Sequence, residues 1–240
     1  MANSLTTTTR AFGKLIGTAT IAGAMFAPSA AQAALLDFET ELAFPLIGAG
    51  QVVEMGDFYV QAFGGTQEGD LVGAVINNSS CADGVQCPVN NSTNYYASLD
   101  DGYFFFGRND DATFRLNSFK ASFIGAGQAS YAATAGVLVL QGFNLAGGLV
   151  GASQQIGLSG PTNGSFNFAS FNLGSFSNNT VASVRILGFA CDLSGSCNRT
   201  TNQGQFAIDD IVTTTVPEPG SWALMGLALA GLAAFSRRRA

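Results

Sequence analysis

The sequence predicts an all-β protein, an antiparallel β-sandwich of jelly-roll type, with an N-terminal signal peptide and a single C-terminal hydrophobic helix. Three observations predict it. Short segments rich in Phe, Val, Ile and Thr recur between Gly and Asn residues, which is typical of antiparallel strands joined by turns. The body of the chain shows no apolar pattern of useful length with helical spacing. Both ends differ in composition from this body.

Residues 1–33 are predicted to be a removable signal peptide. Arg10 and Lys14 precede a run of small and apolar residues, Leu15 to Ala27, and Ala31-Gln32-Ala33 follows. This order of charged, apolar and small-residue regions is typical of a secretory signal, and we expect signal peptidase to cut after Ala33. The alternative is an N-terminal membrane anchor, although the run is shorter than the roughly 20 residues of a spanning helix.

Residues 34–215 are expected to form one domain, the ectodomain. Its predicted strands are Leu35–Glu39, Gln51–Val53, Asp57–Phe63, Tyr103–Phe106, Thr113–Phe123, Gly136–Phe143, Gly148–Ile156, Ser165–Phe171, Val181–Phe189 and Gln205–Val216. Phe and polar residues alternate in Ser165–Phe168, as a half-buried strand requires. Gly136–Leu140 is apolar on both faces and predicts an interior strand. About ten strands favour two packed sheets, and an open barrel is the structural alternative.

Residues 216–240 form three ordered elements at the C-terminus. Pro217-Glu218-Pro219 is followed by an apolar run, Ser221 to Phe235, and then by Arg237-Arg238-Arg239. Fifteen helical residues span roughly 22 Å, a marginal length for a bilayer. The arginines are expected to stay on the cytoplasmic side, so that the body lies outside the inner membrane.

This tail resembles the PEP-CTERM sorting signal, which exosortases recognise in bacteria that make extracellular polysaccharide. The resemblance implies that an exosortase cuts near Pro-Glu-Pro after transient anchoring in the inner membrane, and that the body reaches the cell surface or extracellular matrix. The alternative is a C-terminal anchor that is never cleaved.

A second, looser pattern precedes the tail. Arg115–Phe119, Gly142-Phe143 and Gln205-Phe206-Ala207-Ile208-Asp209 together resemble a PEP-CTERM subfamily marked by a Gln-Phe-x-x-Asp stretch. That group is similar to carbohydrate-binding-module-type jelly rolls, and the resemblance implies no activity.

The ectodomain is acidic, because five basic residues face fifteen carboxylates, a net charge of −10. Such a surface repels polyanions, so nucleic acid is excluded as a partner. The 240 residues include no histidine, which removes Ser-His-Asp and Cys-His catalysis and His-ligated zinc.

Four cysteines form two similarly spaced pairs, Cys81 with Cys87 and Cys191 with Cys197. An even number in an oxidising compartment predicts disulfides, and three connectivities are possible. We favour the two local bridges, because five intervening residues that include a Gly allow the chain to turn back. A four-cysteine zinc site is the rival, but it needs closer spacing of paired ligands.

Carboxylates are the remaining candidates for chemistry. Asp100-Asp101 and Asp110-Asp111 flank an aromatic strand and favour turns over catalysis, because Asp beside Gly or Asn caps nearby amides. In a regular strand Asp210 shares a face with core residues. Because the first and last strands of a jelly roll commonly meet, we expect Asp37, Glu39 or Glu41 to lie near Asp209 and Asp210. Several hard oxygen ligands from the two chain ends predict a structural calcium site, for which we choose Asp37, Glu39, Asp209 and Asp210. The alternative is an Asp exposed to water or bonded to Arg185.

These observations predict a non-catalytic secreted or cell-surface protein, associated with exopolysaccharide or biofilm matrix. A lectin-like module is the alternative, with sugars stacked on exposed aromatic residues chosen from Tyr95, Tyr96 and Tyr103; the polar loop around Tyr95-Tyr96 is the preferred site. A secreted hydrolase with paired carboxylates is a further alternative.

Overall fold

The structure is a computed structural model that describes residues 32–40, 45–65, 69–81, 84–198, 203–216, 226–227 and 231. The predicted signal peptide up to residue 31, Glu41, Pro217-Glu218-Pro219, most of the apolar run and Arg237–Arg239 lie outside the described residues. Within the described part of the chain, no helix combines the length and apolar character that a membrane crossing requires.

The described residues between 32 and 216 form fourteen strands and two short 3₁₀ helices. The strands are β1 (Ala33–Leu36), β2 (Leu46–Gly48), β3 (Val52–Met55), β4 (Phe58–Phe63), β5 (Leu71–Ile76), β6 (Tyr95–Ser98), β7 (Tyr103–Arg108), β8 (Phe114–Phe123), β9 (Thr134–Phe143), β10 (Leu149–Ser159), β11 (Ala169–Asn172), β12 (Ser183–Cys191), β13 (Cys197–Asn198) and β14 (Phe206–Thr215). The 3₁₀ helices are Asn78–Ser80 and Phe176–Asn178.

The strands form two antiparallel sheets of seven strands each. Sheet I has the order β11-β8-β14-β6-β5-β2, and β1 also pairs with β14. Sheet II has the order β10-β9-β12-β7-β4-β3, and β13 pairs with β12. From β7 onward the chain crosses repeatedly between the two sheets. The predicted jelly-roll-type sandwich is therefore the observed fold.

The core between the sheets is dominated by phenylalanine. Phe104 and Phe106 of β7 are fully buried. The ring centroid of Phe104 lies 6.2 Å from that of Phe206 on the opposite sheet, and the rings of Phe106 and Phe114 are 5.7 Å apart. Burial of such large apolar side chains is the main favourable contribution to folding.

The first and last strands of the ectodomain meet as predicted. β1 pairs with β14, from Ala33 opposite Thr214 to Leu36 opposite Ile211. Apart from the predicted strand Ser165–Phe171, the predicted strands overlap observed ones within a few residues.

The prediction for Ser165–Phe171 was wrong over most of its length, because the strand begins only at Ala169. Phe166 and Phe168 are buried in spite of this. Their backbone carbonyls bond a neighbouring loop through the amide of Val89 and the side chain of Asn90. The alternation of buried Phe and polar residues that predicted a strand therefore arises here from packing against a loop.

Strand β14 is interrupted by a bulge. Asp209 lies opposite Lys120 and Val212 opposite Ser118, so Asp210 and Ile211 together face one residue of β8. Asp210 has a left-handed φ of 48°. The bulge reverses the alternation that follows it, so Ile211 enters the core. The prediction that Asp210 lies on the core face was therefore wrong.

Candidate glycan-binding face

Sheet II exposes a continuous row of aromatic side chains on its outward surface. We call this surface the aromatic face and define it by Phe63, Tyr103, Phe105, Phe143 and Arg185. All five side chains are half-buried. Phe105 lies at the centre: its ring centroid is 5.6 Å from that of Phe63, 6.2 Å from that of Tyr103 and 5.5 Å from that of Phe143. The rings of Phe63 and Tyr103 stack at 5.4 Å with an interplanar angle of 14°.

The aromatic face follows from strand alternation and register. Successive side chains of β7 point to opposite sides, so Phe104 and Phe106 enter the core whereas Tyr103 and Phe105 point outward. Phe63 is the cross-strand neighbour of Tyr103. Neighbouring strands lie about 4.8 Å apart, so the row from β4 to β9 extends over roughly 14 Å.

Arg185 lies among the rings. It is opposite Phe105 on one side and Gln141 on the other. Its guanidinium carbon is 5.9 Å from the ring centroid of Tyr103, 5.6 Å from that of Phe105 and 5.4 Å from that of Phe143. These distances fall in the range of cation–π attraction.

The guanidinium is held by an amide. Arg185 donates from Nε to the side-chain oxygen of Gln141 at 2.8 Å, and its Nη2 donates to the same oxygen. Gln141 in turn donates to the hydroxyl of Ser153 at 3.1 Å. This chain of hydrogen bonds fixes which way the amide and the guanidinium point.

Tyr59 borders the aromatic face on the adjoining row. A Cβ built on Gly107 would lie 2.7 Å from the hydroxyl of Tyr59, so the tyrosine lies across the glycine and reaches Ser183 of β12. Burial raises the pKa of Tyr59, the charge of Asp111 raises it further, and the hydrogen bond with Ser183 opposes both.

The outward surface of sheet I is different, because a loop covers it. We call residues 84–94 the covering loop. Gln86 exchanges two backbone hydrogen bonds with Gly125, at 2.8 and 3.0 Å. Asn90 accepts from the amide of Phe168 at 2.6 Å and donates to its carbonyl at 3.1 Å. Under the loop lies a small apolar cluster that includes Tyr95 and Phe168.

The prediction that Tyr95 and Tyr96 are exposed in a polar loop was therefore wrong. Both form part of β6 and are 0% exposed. Tyr96 faces the core, where its ring is 4.5 Å from that of Phe104, and Tyr95 faces the covering loop. Burial raises the pKa of Tyr95 to about 12. Of the three predicted tyrosines, Tyr103 lies on the aromatic face, and a binding role for it stays a prediction.

The residues of the predicted calcium site lie around the junction of β1 and β14, but they differ in their contacts. Asp209 is buried, and its carboxylate accepts from the side-chain amide of Asn91 at 2.8 Å and from the amide of Asp210 at 2.8 Å. Asp210 forms an ion pair with Lys120 at 2.6 Å. Glu39 accepts from the amide of Asn94 at 2.8 Å.

Asp37 belongs to the same end of the sandwich and accepts from the amide of Glu39 at 3.2 Å. No group of three or more Cys, Asp or Glu side chains within the described ranges is arranged to hold a metal ion. The calcium site stays a prediction.

The carboxylate pairs around β7 form turns and ion pairs. Asp100 and Asp101 both have left-handed φ values, 51° and 55°, and the amide of Gly102 bonds the carbonyl of Leu99 at 2.7 Å. Two central residues with positive φ and this hydrogen bond define a type I′ turn, which here connects β6 of sheet I to β7 of sheet II. Asp110 is bound to Arg108 at 2.8 Å, and this hydrogen bond lowers the pKa of Asp110 to about 2.

Both predicted disulfides are local. Cys81 is bonded to Cys87 and Cys191 to Cys197. The first bridge closes the segment that leads into the covering loop. The second links β12 to β13 in a turn in which Asp192 accepts from the amides of Ser194 and Ser196, each at 2.9 Å.

Sequence reasoning missed Phe63, Phe105, Phe143 and the central position of Arg185. A signal was present in Tyr103-Phe104-Phe105-Phe106. Four consecutive aromatic residues in a strand place two rings on each side of the sheet, so at least two rings must lie outside a one-sided core.

Solved structures with a similar fold include two bacterial proteins. A DUF4465 family protein from Bacteroides caccae is 12% identical, with a TM-score of 0.51, covering 78% of this chain and all of that one. A DUF4465 family protein from Bacteroides ovatus is 10% identical, with a TM-score of 0.45, covering 77% of this chain and 99% of that one. The first likeness shows the fold alone.

A third structure is the family 11 carbohydrate-binding module from Clostridium thermocellum, in complex with a β-1,3-1,4-mixed-linked tetrasaccharide. It is 12% identical, with a TM-score of 0.33, covering 77% of this chain and 96% of that one. A superposition this loose carries no argument about ligands. No curated protein matches the chain in sequence.

The tail gives a specific match. Residues 215–239 match the model of the PEP-CTERM protein-sorting motif, over the elements Pro217-Glu218-Pro219 and Arg237–Arg239. A motif of this kind implies processing by an exosortase. The chain therefore carries a PEP-CTERM sorting signal and is an exported protein of the cell surface or extracellular space.

Proposed function

We propose that this protein is a non-catalytic, extracellular carbohydrate-binding protein that holds a polysaccharide strand on the aromatic face. The observation that carries the proposal is the continuous row of four half-buried rings on the outward surface of sheet II. Exposed apolar patches of this kind mark interaction sites.

The chemistry of a sugar fits this surface. A pyranose ring presents a face of C–H bonds, which packs on aromatic rings, and a rim of hydroxyl groups, which need hydrogen-bond partners. Arg185 and Gln141 supply a donor and an amide beside the rings, and Gln61 is the cross-strand neighbour of Phe105. A largely apolar site with a few convergent polar groups is typical of small-molecule recognition.

The closed surface of sheet I supports the same assignment. The covering loop fills the space above Tyr95, whereas the rings of the aromatic face are half-buried on the outward surface of sheet II. Export to the cell surface brings the protein into contact with polysaccharide. The aromatic face gives the predicted association with exopolysaccharide or biofilm matrix a physical basis.

We propose a non-catalytic role because the carboxylate pairs form turns and ion pairs away from the aromatic face. Asp100 and Asp101 build a turn, and Asp110 is bound to Arg108. The aromatic face itself contains no carboxylate.

The test is a glycan array followed by titration calorimetry with the ligands that the array returns. We expect Phe105→Ala to weaken binding by about fivefold or more, since loss of one stacked ring costs on the order of 1 kcal/mol or more. Phe171→Ala is the matched control, because Phe171 is a half-buried ring on β11 of the other sheet.

Thermal unfolding of both variants separates binding from folding. Absence of any glycan ligand would contradict the proposal. Equal losses of affinity in Phe105→Ala and Phe171→Ala, at equal stability, would also contradict it.

A further inference from the structure

Arg185 differs from the other paired cations of the molecule in its surroundings. Arg108 is bound by Asp110 at 2.8 Å, with Asp57 at 4.0 Å, and Lys120 is bound by Asp210. Arg185 has no carboxylate within ion-pair distance among the described residues. Its hydrogen-bond partner is the neutral Gln141.

The position of Arg185 makes this lack of a counterion costly. The side chain is half-buried, and three aromatic rings lie within 6 Å of its guanidinium carbon. Removing a charge from water is unfavourable unless a partner replaces the lost hydration. Aromatic rings and one amide oxygen replace only part of it, because a guanidinium has five N–H donors.

The N–H donors of Arg185 that lack a hydrogen-bond partner among the described residues belong to a guanidinium whose orientation is fixed. Gln141 takes the Nε donor and one Nη2 donor, and Ser153 fixes the amide of Gln141. The Nη1 donors have no described partner. A planar guanidinium held in one orientation is suited to bind a carboxylate through two parallel hydrogen bonds.

We infer that the glycan bound on the aromatic face contains a uronic acid, whose carboxylate pairs with the guanidinium of Arg185 while its ring packs on Phe105 and its neighbours. This inference rests on the proposed function. It names the ligand class, an acidic glycan, through charge complementarity at the centre of the face.

The charges around the face limit how acidic the glycan is. Glu54, Asp57, Asp110 and Asp111 lie on or next to the strands at the Tyr59 side of the face. Asp57 and Asp110 are compensated by Arg108, but the ectodomain as a whole carries a net charge of −10. Such a protein repels a chain that is charged at every sugar, so the expected ligand carries uronic acids among neutral sugars.

The test uses paired oligosaccharides. Tetrasaccharides that contain one glucuronic, galacturonic or mannuronic acid are printed beside the same molecules after reduction of the carboxyl group to a hydroxymethyl group. We expect the wild-type protein to bind at least one acidic tetrasaccharide about tenfold more tightly than the same tetrasaccharide after carboxyl reduction. This preference should fall as salt rises from 50 to 300 mM.

Arg185→Gln should bind both members of that pair with equal affinity, and Phe105→Ala should weaken both. Equal binding of both members by the wild type overturns the inference, as does a preference that survives in Arg185→Gln at unchanged stability. Binding to neutral glycans alone overturns the inference and leaves the proposed function standing. Binding to no glycan overturns both.

Discussion

Asp209 shows how a single carboxyl group responds to its burial in this fold. The residue is 1% exposed. Burial raises the pKa of Asp209 to about 6, and the hydrogen bonds from Asn91 and from the amide of Asp210 only partly oppose this. The folded protein therefore holds a proton on Asp209 at pH values where the unfolded chain has lost it.

A pH dependence of stability follows from this shift. Because the folded-state pKa is raised, the stabilisation is fully present below pH 3.8 and is lost as the pH rises through about 6. We expect the wild type to lose on the order of 2 kcal/mol relative to Asp209→Asn between pH 4 and pH 7. Denaturant unfolding of both proteins across this range measures it.

Asp110 does not disturb that experiment, because the hydrogen bond from Arg108 lowers its pKa to about 2, below the range studied. A constant difference in stability between wild type and Asp209→Asn from pH 4 to pH 7 would show that folding does not raise the pKa of Asp209.

The pairing of the cysteines was predictable from the sequence, but the burial of the tyrosines was not. The spacing of the cysteines favoured the two local disulfides. The burial of Tyr95 and Tyr96 could not be foreseen, because both follow a polar Asn-rich stretch that predicts a loop. The stretch is indeed a loop, but it folds back over Tyr95 through contacts with Gly125 and Phe168, which lie far away in sequence.

At the scale of elements, the covering loop and the β12–β13 turn form a matched pair. One disulfide joins Cys87 of the covering loop to Cys81, which precedes the loop, and the other joins the two ends of the β12–β13 turn. Both have a sequence separation of 6, so each restricts the unfolded chain to the same extent, on the order of 2 kcal/mol. Their packing differs. Val85 contacts the apolar cluster around Tyr95, whereas Leu193 is 70% exposed.

We expect Cys81→Ser/Cys87→Ser to lower the thermal midpoint more than Cys191→Ser/Cys197→Ser. Release of the first bridge loosens the loop that covers Tyr95, so burial is lost in addition to the constraint on the unfolded chain. Calorimetric unfolding of the two variants compares them directly. Equal midpoints would mean that the bridge does not hold the covering loop in place.

The long strands and several short ones were predictable, whereas β2, β5, β6 and β13 were not. β8, β9, β12 and β14 carry enough alternating apolar residues to be recognised. β5 and β6 were missed, because Gly73 and the adjacent Asn-rich stretch look like turn residues. A Cβ at Gly73 would collide with the hydroxyl of Tyr96, so this glycine makes room for a ring on the next strand. Such a requirement depends on the fold and is invisible in a local pattern.

At the scale of the whole molecule, charge is distributed unevenly. No Asp, Glu, Lys or Arg occurs between Lys120 and Arg185, a stretch that contains β9, β10 and β11. The carboxylates belong to the remaining strands and turns. Arg185 is thus the first charge after a long neutral stretch, and this isolation from acidic neighbours accounts for its lack of a counterion.

Sorting to the cell surface depends on the C-terminal tail, which follows the sandwich in the sequence. We expect substitution of Arg237, Arg238 and Arg239 by Gln to abolish delivery to the cell surface, because the basic cluster completes the PEP-CTERM motif matched at residues 215–239. Fractionation and immunoblotting in a host with an exosortase measures it, with Arg115→Gln as control for an exposed arginine of the body. Surface delivery of the triple variant at the wild-type level would contradict the prediction.

The covering loop also bears on the valency of the glycan binding that we propose. Among the described residues it closes one of the two broad surfaces of the sandwich near β6, so under the proposed function each copy offers a polymer one lateral docking track, the aromatic face. A monovalent particle decorates a polysaccharide strand without bridging it to a second one. Gel stiffening by this protein would therefore require two copies joined to each other, and an isolated copy would leave the viscosity of a dilute glycan solution almost unchanged.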